Sequence, residues 1–167
     1  MTLVTRGGHF NYKFCISEGK NEFLLRNNSV FVGCYLIEFG LRCGNKIANK
    51  IVIPNWILGN KKFLLRFMRG FFDTDGCVYR KYGKYAQIQI KLGCEETLSS
   101  IRRVLIKLNF NPTRVQEGHN RDFGDFLYWK IYLTRQEEIK RFFVEIRPMN
   151  HKHNTRYKKI INGDVRI

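Results

Sequence analysis

An α+β fold is predicted from residue 59 onward, with a four-stranded antiparallel sheet and its helices on one face. Three observations predict it. Residues 85–92 alternate strictly, with Gln87, Gln89 and Lys91 on one face and Ile88, Ile90 and Leu92 on the other. A second run, 126–133, sets Leu127, Trp129, Ile131 and Leu133 against Tyr128, Lys130 and Tyr132. The apolar segment 61–74 has helical spacing and stops at Asp73-Thr74-Asp75-Gly76. Two half-buried strands joined by helical segments give layers of helix on sheet.

Residues 9–17 alternate loosely and predict a strand, followed by a turn at Glu18-Gly19-Lys20-Asn21. Ser29 is a cap for a helix to about Phe39, with Val30, Phe31, Cys34, Ile37 and Leu41 at helical spacing. A connector containing Gly44-Asn45-Lys46 and Ile53-Pro54-Asn55-Trp56-Ile57 follows. Asn60 caps the helix over 61–74, in which Phe63, Phe67, Gly70, Phe71 and Thr74 share a stripe. Gly76 breaks it, and strands follow over 77–82 and 85–92 around a Tyr82-Gly83-Lys84 turn. Residues 95–108 form a helix with Leu98, Ile101, Val104, Leu105 and Leu108 buried, stopped by Asn111-Pro112. A third strand is predicted near 113–117, then a loop over 118–125 and the fourth strand, 126–133. Thr134 caps a helix through about Ile146, and a basic helix runs from about Asn150 to Ile161. The order from 61 is therefore αββαββα, with residues 1–58 an N-terminal extension and 59–167 the core.

The charge narrows the partners. Thirty Lys and Arg against 14 Asp and Glu leave +16 on 167 residues. Such a surplus self-repels and favours a polyanion: nucleic acid first, an anionic membrane surface second. No apolar run reaches spanning length, and the N-terminus lacks a signal-peptide core. The five cysteines include no C-x-x-C pair, which speaks against a structural zinc site and for free thiols in a reducing compartment. The expectation is an intracellular protein, cytoplasmic or in an organellar matrix, neither secreted nor membrane-bound, with no nucleotide cofactor.

Phe67-Met68-Arg69-Gly70-Phe71-Phe72-Asp73-Thr74-Asp75-Gly76 carries the chemistry. Gly70 lies mid-helix, where glycine costs about 1 kcal/mol against alanine. Close approach of another helix explains that cost. Two acids at a helix C-terminus oppose the dipole and call for a cation. Asp73-Thr74-Asp75-Gly76 by itself is also an ordinary helix-ending turn.

Residues 68–76 resemble the signature of the LAGLIDADG homing endonucleases, with Gly70, Asp73, Asp75 and Gly76 in register. The connector before the motif helix resembles the family's lead-in. Asn150-His151-Lys152-His153-Asn154-Thr155-Arg156-Tyr157 resembles its C-terminal pattern, so the likeness extends over about 29–160. It implies a saddle-shaped sheet, metal-dependent cleavage of both strands of a long DNA site, and mobility of an intron or intein. Asp75 would be catalytic and hold Mg²⁺ or Mn²⁺, assisted by the main chain near Thr74, with Asp73 structural. Lys152 would stand beside the scissile phosphate. One motif makes half a site, so a homodimer would pack Phe67, Gly70, Phe71 and Thr74 across its axis. A family glutamine that orders water has no counterpart at Leu92-Gly93-Cys94, where Gln89 or Lys91 stand nearest.

The polar sheet face is the expected double-stranded DNA surface: Tyr79, Lys81, Gln87, Gln89, Lys91, Arg114, Gln116, Tyr128, Lys130 and Tyr132. It contains no acid, unlike an ordinary solvated face. Lys61, Lys62, Arg156, Lys158 and Lys159 suit phosphates. His151 and His153, with no acid or thiol near in sequence, read as surface or phosphate-contacting groups. Three alternatives remain open: an RNA-splicing maturase, a non-cleaving DNA-binding regulator, and the C-terminal half of a two-motif monomer. Met1 and the extension weigh against the last.

Overall fold

The computed structural model describes residues 3–5, 8–10, 15–18, 23–26, 30–40, 53–120 and 126–163. The chain divides into two compact units, Met1–Cys43 and Gly44–Ile167. In the first, β1 (Leu3–Thr5) pairs with β2 (Gly8–Phe10) and β3 (Cys15–Glu18) with β4 (Phe23–Arg26), both antiparallel. The expected single strand over 9–17 is thus divided between two hairpins. Helix α1 spans Val30–Glu38, and its Tyr35, Leu36 and Ile37 are exposed in this unit. The Ser29 cap, the 19–21 turn and the connector before Ile53 lie outside the described residues.

In the second unit, Pro54 opens the short helix α2 (Asn55–Leu58). The motif helix α3 (Lys61–Asp75) begins as expected: Asn60 Oδ1 accepts the Lys62 and Phe63 amides at 2.9 and 3.4 Å. Strands β5 (Gly76–Tyr82) and β6 (Tyr85–Leu92) form a hairpin, with Gly83 at φ +50° in the turn. Helix α4 (Glu95–Lys107) precedes β7 (Gln116–Asn120) and β8 (Phe126–Leu133), and α5 (Gln136–Glu145) and α6 (His151–Asn162) close the unit. The sheet order is β5-β6-β8-β7, antiparallel throughout. The αββαββα order holds from α3 to α5, with α6 added.

The alternation of β6 and β8 fixes which face is covered. Register pairs Ile88 with Leu133, Ile90 with Ile131 and Leu92 with Trp129 on the core face. There they meet Leu64, Met68 and Phe72 of α3, and Leu98, Ile101, Val104 and Leu105 of α4. Ile139 and Phe142 of α5 and Ile160 of α6 complete this core. Burying each such side chain is worth about 1.5–3 kcal/mol.

Four local expectations are corrected. The third strand starts at Gln116, not Thr113, because Thr113 is used elsewhere: its amide donates to Tyr132 O at 2.9 Å and its Oγ1 accepts the Tyr132 amide at 3.0 Å. Gly118–Asn120, expected in a loop, belong to that strand. Helix α4 ends before Asn111-Pro112 because Asn109 adopts φ +62° and the Phe110 amide returns to Leu105 O at 2.9 Å. Thr134 does not cap α5; its N-cap is Arg135, without a side-chain bond. Gln136 instead spans Ala86 with both ends of its amide, accepting from N at 3.0 Å and donating to O at 2.9 Å. That side chain extends the β6 ladder beyond its last β8 partner, Leu133.

Candidate active site and nucleic-acid interface

Helix α3 presents two faces. Leu64, Met68 and Phe72, four apart, are buried in the core. The stripe on the other side is open: Phe63 is exposed, Gly70 and Thr74 are exposed, and Phe67 and Phe71 are half-buried with rings stacked at 6.1 Å. Trp56 of α2 meets Phe63 edge-on at 5.4 Å and is itself exposed. A Cβ on Gly70 would meet nothing within 4 Å. No contact among the described residues requires a glycine there.

Asp75 is exposed at the C-terminal end of α3, and Thr74 Oγ1 donates to its Oδ2 at 2.7 Å. The Thr74 hydroxyl also lies within reach of the Phe71 and Gly70 carbonyls, at 3.0 and 3.3 Å. Asp73 faces the other way. Its carboxylate accepts the Met149 amide with both oxygens and the Asn150 amide with Oδ1, each at 3.0 Å. Asn150 Nδ2 returns a bond to Asp73 O at 2.9 Å. The two motif acids thus separate into one exposed and one spent on α6. Lys152 is exposed in the first turn of that helix, whose cap is Asn150 Oδ1, 3.0 Å from the Lys152 amide.

Among the described residues, no three His, Cys, Asp or Glu side chains converge as a metal cluster. The donor set fits one end of a hard-cation site: an exposed carboxylate beside a hydroxyl. Mg²⁺ accepts such a site when waters, phosphate oxygens and a second carboxylate complete it.

The polar sheet face places most of the expected DNA-contacting residues together. Cross-strand pairs there are Tyr79–Gln87, Gln89–Tyr132, Lys91–Lys130, Gln116–Lys130 and Gly118–Tyr128. Lys91 Nζ sits 3.6 Å from the Tyr128 ring centroid. The hydroxyl end of Tyr128 crowds Gly118, where an added Cβ would come within 2.6 Å of the ring. Gln89 Nε2 donates to Tyr132 OH at 3.1 Å, and Tyr79 OH donates to Gln87 Oε1 at 2.9 Å. Gln87 is only 7% exposed, so this pair braces the face from within. Burial, and then the neighbouring Tyr132, push the Tyr79 phenol up. Lys81 and Arg114 are exposed, Lys81 at the register shift near the end of β5 and Arg114 ahead of β7. The face carries no acid among these residues, whereas Glu95, Glu96, Glu137, Glu138 and Glu145 sit on α4 and α5.

Residues 62–147 match the LAGLIDADG-like domain. The chain belongs to the LAGLIDADG family. Its members are homing endonucleases and related maturases, proteins that work on nucleic acid. No curated protein matches the chain. The match covers α3 through α5 and ends before α6, so the setting of Lys152 rests on contacts in this chain. No helix among the described residues is long and apolar enough to cross a membrane.

His153, expected on the surface, is buried instead. It is 4% exposed, packs on the Phe72 ring at 4.8 Å between centroids, and neither ring nitrogen has a well-formed hydrogen bond. Burial pushes its imidazole below the ordinary 6.5, opposed by the Asp73 carbonyl and carboxylate. The unfolded chain takes up a proton as pH falls through 6.5, and the folded chain does so only lower. This contribution to stability is therefore complete above that value and lost as pH falls below it. Melting temperature is expected to drop from about pH 7 to pH 5, with a shallower drop in His153→Phe. Equal slopes in the two proteins would contradict this account. The signal that sequence reading missed here is tertiary: His153 is defined by partners about 80 residues away, Phe72 and Asp73.

Proposed function

We propose that this chain is a metal-dependent, site-specific DNA endonuclease that cuts both strands of a long site as a homodimer. The observation that carries the reading is one of continuity. The exposed Asp75 ends α3, and the next residue begins β5 of an acid-free Lys/Tyr/Gln sheet face. A helix that delivers a carboxylate directly to the edge of such a face suits a phosphodiester held in a groove.

Each residue then has a task. Lys91, Lys130 and the tyrosines among them engage the duplex, and Gln89 and Gln116 present amides to base edges. Asp75, with the Thr74 oxygens nearby, provides oxygen ligands for Mg²⁺ or Mn²⁺, which when bound supplies charge stabilisation and an acidified water. Lys152 stabilises negative charge gathering on the phosphate. The open Gly70 stripe, flanked by Phe67 and Phe71, receives the same stripe of a second copy, pairing two Asp75 carboxylates at the axis. Intron or inteín mobility is the biological setting this activity serves.

The test is digestion of a randomised DNA library with Mg²⁺ or Mn²⁺, compared with EDTA. Enriched cut sites are expected with metal only. Absence of cutting under every divalent metal would refute the nuclease. Tight, selective RNA binding in its place would favour a maturase, which shares the charge and the family but needs no cleavage.

A further inference from the structure

Arg69 and Asp73 stand one turn apart on α3 and grip the two ends of the corner between α5 and α6. Arg69 Nε donates to Ile146 O, the end of α5, at 2.8 Å. Asp73 takes the Met149 and Asn150 amides at the start of α6. Between these grips Arg147 adopts φ +54°, a region L side chains rarely enter, and Pro148 is buried. The corner is further closed by Asn154 Nδ2, which donates to Pro148 O at 2.7 Å. A conformation of that kind persists when its surroundings over-determine it.

Asn150 relays the grip. Its main-chain amide goes to the Asp73 carboxylate, its Nδ2 to Asp73 O, and its Oδ1 accepts the Lys152 amide. The Lys152 backbone is therefore two hydrogen bonds from the helix that ends in Asp75. Lys152 and Asp75 each lie two residues from the bonded pair Asn150 and Asp73.

We propose that Asp73 and Asn150 are positioning residues that hold Lys152 in register with Asp75, with Arg69 anchoring the other end of the corner. This rests on the nuclease reading. Neither residue touches the reacting phosphate; both act through Lys152. A carboxylate suits the role because it meets two main-chain donors at once and sits at the positive end of α6. In Asp73→Asn one of the two acceptor positions becomes a donor facing those amides. In Asn150→Ala the relay is lost while the Asp73 carboxylate remains.

Two measurements on the full chain test it. Hydrogen exchange at the Met149–Lys152 amides is expected to quicken in Asp73→Asn, while exchange in α4 stays as in the wild type. In cleavage, Asp73→Asn and Asn150→Ala are expected to lower kcat by roughly 10–100-fold with KM for DNA nearly unchanged. Combining either with Lys152→Ala should be no slower than Lys152→Ala alone, since the loss passes through that lysine. Fully additive losses, a matching rise in KM, or unchanged exchange would overturn the proposal. If Asp73→Asn does not fold, Asn150→Ala decides by the same criteria. A wild type that protects these amides yet cuts nothing sinks the nuclease reading and the positioning role with it. A wild type that cuts with an additive cycle sinks the positioning role alone.

Discussion

Asp75→Asn is expected to reduce metal-dependent DNA cleavage by roughly 10³-fold or more while leaving DNA affinity and folding close to wild type. The substitution is nearly isosteric. An asparagine oxygen still accepts the Thr74 hydroxyl, which lies 2.7 Å from the present Oδ2. What disappears is the negative charge, the property a hard divalent cation requires of its protein ligand. Because the Asp75 carboxylate is exposed, its substitution leaves no buried charge or donor unsatisfied. Removing an anion from a helix C-terminus also relieves an unfavourable dipole interaction, so the melting temperature should hold or rise slightly. A carboxylate that opposes stability at this position is accounted for by ligation. Single-turnover cleavage, gel-shift affinity in Ca²⁺ and a thermal melt together provide the check. Cleavage that survives the substitution would remove Asp75 from the site; loss of folding would mean that its role is structural.

The sequence displayed those parts of the molecule whose cause is local. The motif helix has a capping asparagine, a four-residue apolar spacing and a terminal glycine, and its start lies where those signals put it. Strands β6 and β8 alternate so regularly that their core face follows from the period alone. The polar face followed for the same reason, but its internal bracing did not. Gln87 occupies the expected face and is nonetheless nearly buried, because Tyr79 on the neighbouring strand bonds to it. The misplaced strand has a comparable cause: Thr113 has good β propensity, yet both of its Tyr132 bonds come from 19 residues away. Helix α5 begins without a side-chain cap, since its first residue is tied to Ala86, 50 residues earlier. The division of labour between Asp73 and Asp75 was implied by the family resemblance, but its physical cause is of the same kind. As neighbours in a motif they are chemically alike, and only the approach of Met149 and Asn150 makes one structural and leaves the other free.

The two motif glycines are expected to respond to alanine in opposite directions. At Gly76 the backbone is ordinary, with φ −85° and ψ 160°, so the objection to a side chain is spatial. An added Cβ would stand 2.0 Å from Phe72 Cδ2 and 2.6 Å from Phe72 O. The ring has nowhere to go: it is fully buried, with Phe142 at 4.9 Å and His153 at 4.8 Å between centroids. The carbonyl belongs to the last turn of α3 and cannot move without it. Gly76→Ala should therefore cost about 1–3 kcal/mol or more, lowering the melting temperature by several degrees. At Gly70 an added methyl meets nothing within 4 Å, and alanine gains up to about 1 kcal/mol of helix propensity over glycine. Gly70→Ala should accordingly stabilise the monomer. If the open stripe seats a second copy, Gly70→Leu should in addition weaken self-association by about tenfold or more, since helix axes that close tolerate little bulk. Melts at low concentration and sedimentation equilibrium separate the two effects. A Gly70→Leu protein that dimerises as tightly as wild type would remove this stripe from the interface. A Gly70→Ala protein that melts lower at every concentration would mean that the glycine serves the chain's own fold.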